Sequence, residues 1–315
     1  MKRVSVVLCT YNGSQYIQEQ LDSIIQQSYP VYELLIQDDC STDSTQEILK
    51  AYQQRYSFIH CFFNTNNIGF NANFWSVLEK ASGDYIAIAD QDDVWLPQKI
   101  KQLVSNIRDN DLIYGDSISF VDKDPIIPVP TIQNDFSIWK FVTLQTGVLG
   151  HDCLIRREMI YRVPISCRNY LVYDFALALV ALSENKLSHI SEGLTYFRRH
   201  PLACSNLFKH KGNRWWGYIS CFFALSSENR NEIALRYKTM LPFLKEQNDK
   251  VYRYAFYLSS GRIVDLLGAC LLSYQNRASI KEDSDSTLNR LRSFFIPLFL
   301  YGKWAVIKNL WGEKH

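Results

Sequence analysis

Short apolar runs alternate with apolar stripes of helical period along the first part of the chain. The runs at residues 4–8, 33–37, 59–63 and 85–89 are each bounded by polar residues. Continuous apolar runs of this length are typical of strands that are buried on both faces of a sheet. The sequence therefore predicts four strands of a mostly parallel sheet.

Amphipathic helices are predicted between and after these strands. Ser44, followed three residues later by Glu47, has the pattern of a capping box and predicts the start of the second helix. Alternating strands and helices form an α/β fold in which helices flank the sheet. The predicted helices carry the apolar sets Ile17, Leu21, Ile24 and Ile25; Ile48, Leu49 and Tyr52; Phe70, Phe74, Val77, Leu78 and Ala81; and Ile100, Leu103, Val104 and Ile107.

Polar, mostly acidic turns follow three of the predicted strands. They lie at residues 10–12, at Asp38 with Asp39, and at residues 90–93. Ligands of such sheets bind beyond the carboxyl ends of the strands, so we expect the three turns to meet in one site. Crowded carboxylates repel one another unless a cation compensates them, and a hard divalent cation prefers oxygen ligands.

Composition narrows the class of protein. With 47% hydrophobic and 21% charged residues the 315-residue chain is typical of a soluble globular protein. A net charge of +2 gives no reason to expect a nucleic-acid partner. The eight cysteines include no CxxC pair, which argues against a zinc ribbon and favours reduced thiols in a cytosolic protein. No run of about 18 apolar residues predicts a membrane-spanning helix.

The familiar nucleotide-binding signatures are missing. The chain has neither a GxGxxG after a strand nor a GxxxxGK[ST] loop, which argues against a dinucleotide-dependent dehydrogenase and a P-loop NTPase. A nucleoside diphosphate can instead be held through a metal ion that carboxylates grip. The pair Asp90-x-Asp92 supplies such carboxylates.

Three segments together resemble glycosyltransferase family 2, the inverting sugar transferases of the GT-A fold. They are SVVLCTYN at the start, IQDDCSTDST after the second predicted strand, and GDYIAIADQDDVWLPQKI at the fourth. The resemblance is strong over about the first 110 residues and weaker up to residue 206. The variant Asp-Gln-Asp-Asp followed by Val-Trp-Leu-Pro is most similar to the bacterial rhamnosyltransferase-type branch. The implied fold is a Rossmann-like, mostly parallel mixed sheet flanked by helices.

The resemblance also implies roles for the acidic turns. Asp92 would ligate Mn²⁺ or Mg²⁺ on the donor diphosphate, with Asp90 next to the ribose and the metal. Asp39 matches the position that contacts a pyrimidine base, and Thr10 and Tyr11 would line the same pocket.

A second resemblance concerns the half that would bind the acceptor. Tyr173-Asp174-Phe175 resembles the acidic motif of the family, which implies Asp174 as the general base; many members have Glu-Asp or His-Asp where this chain has Tyr-Asp. Phe197-Arg198-Arg199-His200 resembles a segment near the diphosphate, with Pro201 where Gly is common. The implied donor-binding set is Thr10, Tyr11, Asn12, Asp39, Asp90, Gln91, Asp92, Arg198 and His200, with Asp92 and Asp90 as metal ligands.

Each assignment has a structural alternative. Asp174 precedes the apolar stretch FALALVAL and would also serve as a helix cap. Asp38-Asp39 would also suit a plain turn, residues 90–93 a solvated turn, and His200 a structural histidine beside two arginines. The histidines for which the sequence offers no partner, and which we interpret as structural or surface residues, are His151, His189 and His210.

These observations predict an inverting glycosyltransferase. It would move a sugar from a UDP- or dTDP-sugar, with dTDP-rhamnose as one candidate, to a hydroxyl of a glycan or lipid-linked acceptor in cell-surface polysaccharide synthesis. Two alternatives stay open: a non-catalytic sugar-nucleotide-binding protein and a metal-dependent nucleotidyltransferase. The second would need a basic phosphate loop, whereas VLCTYNGSQY contains no basic residue. The predicted location is cytoplasmic, at the inner face of the cytoplasmic membrane.

The sequence predicts two regions that follow each other along the chain. Residues 1–206 would form the catalytic domain, with 1–110 as the nucleotide-sugar half and 111–206 as the acceptor half. Residues 207–315 would form a helical, aromatic-rich region. Its tail, 294–315, mixes aromatic and basic residues, as helices at membrane surfaces do. The alternative is that these aromatics pack onto the catalytic domain or a second subunit in a homodimer.

Overall fold

A computed structural model of the chain describes residues 1–121, 127–128, 136–144, 147–200, 225–280 and 287–301. Its sheet has nine strands in the order β3-β2-β1-β4-β8-β6-β9-β5, with β7 paired to β6. The strands are β1 (Val4–Thr10), β2 (Glu33–Asp38), β3 (Ile59–Phe63), β4 (Tyr85–Ala89), β5 (Val94–Trp95), β6 (Leu112–Val121), β7 (Ile127–Pro128), β8 (Cys153–Arg156) and β9 (Leu187–Arg199).

The first four strands confirm the prediction of a parallel sheet. β1 lies between β2 and β4 and is parallel to both, and β3 extends the sheet beside β2. The second half is mixed, because β8 is antiparallel to β4 and β6 while β9 is parallel to β6. The carboxyl ends of β1, β2 and β4 therefore lie at the same edge of the sheet, and the three polar turns follow them there.

The helices of the described residues fall into two groups. Those that connect or flank the strands of the sheet are α1 (Ile17–Ile25), α2 (Thr45–Arg55), α3 (Phe70–Leu78), α4 (Lys99–Asn106), α6 (Met159–Arg162) and α8 (Tyr173–Ser183). The others are α5 (Ile138–Val142), α7 (Ile165–Tyr170), α9 (Ser227–Leu244), α10 (Asp249–Ser259), α11 (Ile263–Gln275) and α12 (Thr287–Phe294).

The hydrophobic core explains why the apolar runs form strands. Val4, Val6 and Leu8 of β1 are fully buried against Ile17 and Leu21 of α1 and their neighbours. Burying such side chains contributes about 1.5–3 kcal/mol each, which favours the extended, two-sided packing of β-branched residues.

The predicted capping box of α2 does not form. Ser44 is the residue before α2, but its side chain makes no capping hydrogen bond. Instead, Asp43 accepts hydrogen bonds from the main-chain N–H of Thr45 at 3.1 Å and from that of Ser14 at 3.1 Å. The carboxylate one residue earlier reaches both the helix start and the β1 turn, so it takes the place of the hydroxyl.

The chain divides into two compact units. Unit 1 comprises residues 1–134, 148–164 and 172–201, and unit 2 comprises residues 135–147, 165–171 and 202–315. The units are interleaved along the chain, whereas the sequence predicted one boundary at residue 206. The short helices α5 and α7 belong to unit 2, and nothing in their local sequence marks them as separate from the sheet domain.

Unit 2 has a core built from aromatic side chains. Tyr237 and Tyr254 are buried, with ring centroids 6.1 Å apart, and the Tyr237 hydroxyl donates a hydrogen bond to the Val142 carbonyl at 2.7 Å. Part of the aromatic tail joins this core, since Ile296, Leu298, Leu300 and Tyr301 are all buried. The described part of the tail is thus largely buried within unit 2, while residues 302–315 lie outside the described part of the chain.

Candidate functional site

The ends of β1 and β2 are joined by a dense set of hydrogen bonds. The Thr10 hydroxyl donates to Asp38 at 2.8 Å, and the buried Asp38 carboxylate also accepts from the main chain of Ser41 and the amide of Gln46. Asn12 has a left-handed backbone, φ 48°, and its side-chain oxygen accepts from the N–H of Thr42 at 2.8 Å. Asn residues tolerate this conformation better than most, so Asn12 suits the turn.

Asp39 is buried and holds the loop before α3. Its carboxylate accepts hydrogen bonds from the side-chain amide of Asn64 at 2.8 Å and from the main-chain N–H groups of Ile68 and Gly69 at 2.8 and 2.9 Å. Its own N–H donates to the Thr10 carbonyl. Asp39 is therefore more than a plain turn residue, and its contact with a base stays a prediction.

Gln91 connects the turn after β4 to the turn after β1. Its side-chain oxygen accepts from the N–H of Tyr11 at 2.9 Å, and its amide donates to the Tyr11 carbonyl at 3.2 Å. Tyr11 is 47% exposed, so hydrogen bonds fix the main chain of this turn while the residue stays accessible to a ligand. The structure thus brings Tyr11 and Gln91 together, as a shared donor pocket requires.

Each carboxylate of the Asp90 to Asp93 turn faces a histidine. Asp92 pairs with His200 at 2.8 Å. Asp90 lies 3.1 Å and Asp93 3.6 Å from Nδ1 of His151. The prediction that Asp90, Asp92 and His200 lie in one region agrees with this placement. The interpretation of His151 as a residue without partners is wrong, because it contacts both Asp90 and Asp93.

His151 is the central cation of the site. It lies in a short 3-10 helix, Gly150–Asp152, is 3% exposed, and stacks on the Phe197 ring with centroids 5.0 Å apart. Burial by itself would lower the pKa of His151, but the carboxylates of Asp152, Asp93 and Asp90 outweigh burial and raise it to about 10. His151 is therefore an imidazolium at neutral pH in the absence of a competing cation.

Lys99 is a second buried cation beneath the same turn. It lies in α4, is fully buried, and donates hydrogen bonds to the His151 carbonyl and to the Thr195 hydroxyl. Its ammonium also lies 4.1 Å from the centroid of the Trp95 ring. Burial lowers the pKa of Lys99 to about 8, although the carboxylates of Asp152 and Asp93 favour its charged form. In the sequence, Lys99 has the appearance of an ordinary helix residue.

Burial and mutual repulsion also shift the acids. Burial raises the pKa of Asp93 to about 7, partly offset by His151. The pKa of Asp92 is raised by burial and by the charge of Asp90, while His200 opposes the shift. Such shifts mark the concentration of negative charge that a cationic ligand would relieve.

Arg198 is buried against the main chain of the acidic turn. Its Nε donates to the carbonyl oxygen of Asp92 at 2.9 Å, its guanidinium pairs with Glu19, and it lies 4.7 Å from the ring centroids of both Tyr16 and Phe120. These contacts make Arg198 a support of the turn that carries Asp92. Its predicted contact with a diphosphate stays a prediction.

Asp174 lies in the first turn of α8 and is not the residue that precedes the helix, which is Val172. Its carboxylate accepts the N–H of Phe175 at 2.6 Å. Burial, followed by the charge of Asp90, raises the pKa of Asp174 to about 6, while hydrogen bonds from the Phe175 and Gly150 N–H groups and the charge of His151 lower it. Asp174 therefore shares an electrostatic environment with the Asp90 turn.

Tyr173, the departure from the family motif, has a packing role. Its ring stacks on Phe74 with centroids 4.1 Å apart, and its N–H donates to the side chain of Asn71 at 2.8 Å. A Cβ on Gly150 would collide with the Tyr173 hydroxyl, so the glycine lets α8 approach the short helix that carries His151. Tyr173 thus fixes the position of Asp174.

The acidic turn contains a donor set that suits a divalent ion. Within the described residues, Asp90, Asp93 and His151 each offer one ligand atom, and these three atoms lie within 4.8 Å of one another. The second carboxylate oxygen of Asp93 is buried and has no hydrogen-bond donor. Two carboxylates with an imidazole are donors that Mn²⁺ accepts in proteins. The residues present therefore fit a metal ion, with Asp90 common to this set and to the predicted pair.

None of the helices in the described ranges combines the length and the apolar character needed to cross a membrane.

Comparisons with known proteins agree with this architecture. The model of the family described as glycosyl transferase family 2 matches residues 5–163, half of the chain. The mannosyltransferase PcManGT from Pyrobaculum calidifontis, solved in complex with GDP-Man and Mn²⁺, has a similar fold with a TM-score of 0.57. It is 16% identical, and the similarity covers 99% of this chain and 88% of that one. The GT-A fold predicted for the sheet region is thus confirmed.

Two relatives are similar over about a third of the chain. TuaG of Bacillus subtilis (strain 168), a candidate glycosyltransferase of teichuronic acid biosynthesis, is 38% identical over 99 residues, which are 31% of this chain and 39% of TuaG. The dTDP-rhamnosyl transferase RfbG of Shigella flexneri is 38% identical over 102 residues, 31% of this chain and 35% of RfbG. The match spans less than half of either relative. The family match, which runs from β1 past the acidic turn to α6, nevertheless shows that the chain belongs to glycosyl transferase family 2.

Proposed function

We propose that the chain is a metal-dependent, inverting glycosyltransferase of cell-surface polysaccharide synthesis. Its donor would be a UDP- or dTDP-sugar, with dTDP-rhamnose the first candidate, and its acceptor a hydroxyl of a glycan or lipid-linked oligosaccharide. The names of RfbG and TuaG support the choice of sugar and of pathway class. Family membership removes the nucleotidyltransferase alternative, and the non-catalytic alternative is addressed by the experiment below.

The shared environment of Asp174 and Asp90 is the observation that carries the proposal. An inverting transfer is a single in-line displacement, which needs a base on the acceptor hydroxyl and compensation of charge on the departing diphosphate. With its pKa raised to about 6, Asp174 is largely ionised at neutral pH yet basic enough to take a proton. We assign Asp174 to hold the acceptor hydroxyl by a hydrogen bond and to receive its proton.

The donor side of the site would hold the sugar nucleotide. Asp90 and Asp92 are assigned as ligands of Mn²⁺ or Mg²⁺, with His200 beside Asp92. When bound, the ion would neutralise the negative charge that develops on the diphosphate. Tyr11 offers an exposed ring next to Asn12, and Thr10 and Asp39 complete the pocket proposed for the nucleoside.

The acidic turn contains a second possible ligand arrangement. His151 with Asp93 and Asp90 offers three donors, but the imidazolium form of His151 would first have to lose its proton. We therefore assign the metal to Asp90 and Asp92, and the ion pair of His151 with Asp93 to the support of that turn. Metal titration of Asp92→Asn and Asp93→Asn separates the two assignments, since loss of affinity in Asp92→Asn alone is expected.

Release of nucleoside diphosphate tests the proposed activity. The protein is incubated with Mn²⁺ and a panel of UDP-, dTDP- and GDP-sugars, including dTDP-rhamnose, with and without EDTA. We expect metal-dependent release from one class of donor, and its loss in Asp174→Asn. Donor binding without release, with either water or added glycan acceptors, would instead favour a non-catalytic sugar-nucleotide-binding protein.

A further inference from the structure

Helix α3 contacts both the residue proposed for the nucleoside and the helix that carries the proposed base. At its start it follows a loop that Asp39 holds through the N–H groups of Ile68 and Gly69. Along one side it contacts the first turn of α8, which includes Asp174. All of these residues belong to unit 1. Helix α3 therefore links the two halves of the proposed site.

The buried side chain of Asn73 fixes α3 to the end of β2. Its amide nitrogen donates to the Gln37 carbonyl at 2.9 Å, and its side-chain oxygen accepts from the amide of Asn64 at 2.9 Å. The same amide of Asn64 donates to the Asp39 carboxylate at 2.8 Å. Asn73 and Asp39 thus share one hydrogen-bond network, and such networks make the position of a buried element well defined.

Another side of α3 contacts α8. Asn71 lies two positions before Asn73, about 200° away around the helix, but shares a side with Phe74. The side-chain oxygen of Asn71 accepts the main-chain N–H of Tyr173 at 2.8 Å. The Phe74 ring stacks on the Tyr173 ring with centroids 4.1 Å apart. Stacking holds the two helices together, and the hydrogen bond adds a direction, because it weakens steeply when the N–H and the oxygen are misaligned.

The start of α8 takes its acceptor from a distant part of the chain. The first N–H groups of a helix have no partner within the helix, and the side chain of the preceding residue often accepts one of them. Here the preceding residue is Val172, whose side chain has no acceptor atom. Asn71, 102 residues from Tyr173, accepts the first N–H instead. Because Asp174 is the next residue, this hydrogen bond also fixes where its main chain lies.

We propose that Asn71 is a positioning residue, which fixes the general base Asp174 relative to a nucleoside held at Asp39. It acts through the main chain of Tyr173. The inference rests on the proposed function, because it needs Asp174 to be the base. It deepens that function, since a single in-line displacement requires the acceptor hydroxyl at Asp174 to be aligned with the sugar of the bound donor, and small misplacements are costly in rate.

Asn71→Leu tests this role by removing the acceptor at a similar side-chain volume. The Gly150 N–H still holds the Asp174 carboxylate, so we expect a partial misplacement. With Mn²⁺ and the UDP-, dTDP- or GDP-sugar from which the unaltered protein releases most nucleoside diphosphate, kcat should fall by about tenfold while the donor Kd stays within about twofold. The matched control is Asn106→Leu in α4, which removes a half-buried amide that donates to the Gln102 carbonyl of its own helix. Its kcat should be unchanged.

The double variant Asn71→Leu, Asp174→Asn distinguishes positioning from a general structural role. If Asn71 acts through Asp174, its loss has no further effect once the base is absent, so the double variant should have the kcat of Asp174→Asn within about twofold. Asn71→Asp keeps an oxygen that can accept the Tyr173 N–H and should retain kcat within about threefold of the unaltered protein. Turnover is compared at pH 8, so that Asp174, whose pKa is about 6, stays ionised beside the added carboxylate.

Three outcomes would overturn the role of Asn71. They are an unchanged kcat in Asn71→Leu, a further tenfold loss in the double variant, and a donor affinity that falls as much as kcat. Thermal midpoints check that each variant is folded; if Asn71→Leu does not fold, Asn71→Ala, which removes the acceptor without adding apolar bulk, replaces it. Release that Asn71→Leu leaves unchanged refutes only the role of Asn71. An unaltered protein that binds donors but releases no nucleoside diphosphate refutes the proposed activity and this role with it.

Discussion

Unit 1 buries charge and unit 2 exposes apolar surface. Beneath the acidic turn of unit 1, Lys99, His151 and Asp93 are almost completely removed from solvent. On α11 of unit 2, Leu267 and Val264 keep more than half of their surface in solvent. Both arrangements cost free energy in an isolated folded chain, the first through desolvation and the second through hydration of apolar groups. Each arrangement is therefore one that a bound group would stabilise, and for unit 1 the group we propose is a sugar nucleotide with its cation.

The two regions differ in how specific that indication is. Buried charges define distances and directions, since Asp92 faces His200 at 2.8 Å and His151 lies between three carboxylates. An exposed apolar helix face defines only an area. Unit 1 thus supports a proposal at the level of individual atoms, which an exposed apolar face does not.

Asp92→Asn is expected to have the largest effect on the activity of the unit 1 site. Loss of the metal-ligating carboxylate is expected to lower kcat/KM for donor turnover by about 10³, equivalent to roughly 4 kcal/mol. The thermal midpoint should hardly change, because removing one of several crowded carboxylates also relieves repulsion. Steady-state release of nucleoside diphosphate with a Mn²⁺ titration measures the effect. Full activity in the variant, or in the unaltered protein with EDTA, would contradict the metal assignment.

Lys99→Met tests whether buried charge in unit 1 is structural. It keeps the volume of the side chain but leaves Asp152 and Asp93 facing a smaller positive charge, so we expect the free energy of unfolding to fall by about 3 kcal/mol. Urea unfolding measures this change. The matched control is Arg262→Gln in unit 2, whose exposed ion pair with Asp265 should contribute little to stability because solvent and salt screen it. Similar losses in the two variants would show that burial does not distinguish the regions.

Asp174→Asn distinguishes a role of Asp174 as general base from a structural role in α8. The amide keeps the shape of the side chain and can still accept the Phe175 N–H, so donor affinity should stay normal while kcat falls by about 10². Because only the ionised carboxylate accepts a proton, kcat of the unaltered protein should rise with pH through about 6. A parallel loss of thermal stability and of donor affinity would support the structural interpretation of Asp174.

The smallest expected effect is a pH dependence of stability centred on His151. The pKa of His151 is raised from 6.5 to about 10, so the stability it contributes is complete below pH 6.5 and is lost as the pH rises toward 10. Asp93, with a pKa of about 7, acts in the same direction up to that pH, and Lys99 opposes the loss only above about pH 8. Between pH 6.5 and 7.5 we therefore expect His151 alone to lower the free energy of unfolding by about 1 kcal/mol, with Asp93 adding to the fall.

Urea unfolding at pH 6.5 and 7.5 measures this slope without added metal. His151→Asn should flatten it, because the group that retains its proton in the folded state is gone. Arg262→Gln, far in sequence and exposed, should leave it unchanged. A slope that survives in His151→Asn would assign the protonation to another group of the acidic turn.

The sequence by itself determined the elements that depend on local pattern. Strands β1 to β4, the helices between them and the acidic turns at their ends follow from short-range periodicity, and the sheet rule then brings Thr10, Asp39 and Asp90 to one edge. The family resemblance rests on the same stretches. Apolar periodicity predicts these elements because the side chains of a strand in a buried sheet point to two covered faces. The polarity of each position therefore follows from its place along the strand.

Only the tertiary structure decided which charges meet. His151 is 61 residues from Asp90, and Lys99 is 96 residues from Thr195, so no window of sequence contains both partners. The same reason explains why α5 and α7 join unit 2 and why Tyr173 packs on Phe74. Helix α11 is apolar on both faces, so the spacing of its apolar residues does not predict which face is buried. Contacts between distant segments decide burial, and burial in turn decides which charges shift and which apolar surfaces stay exposed.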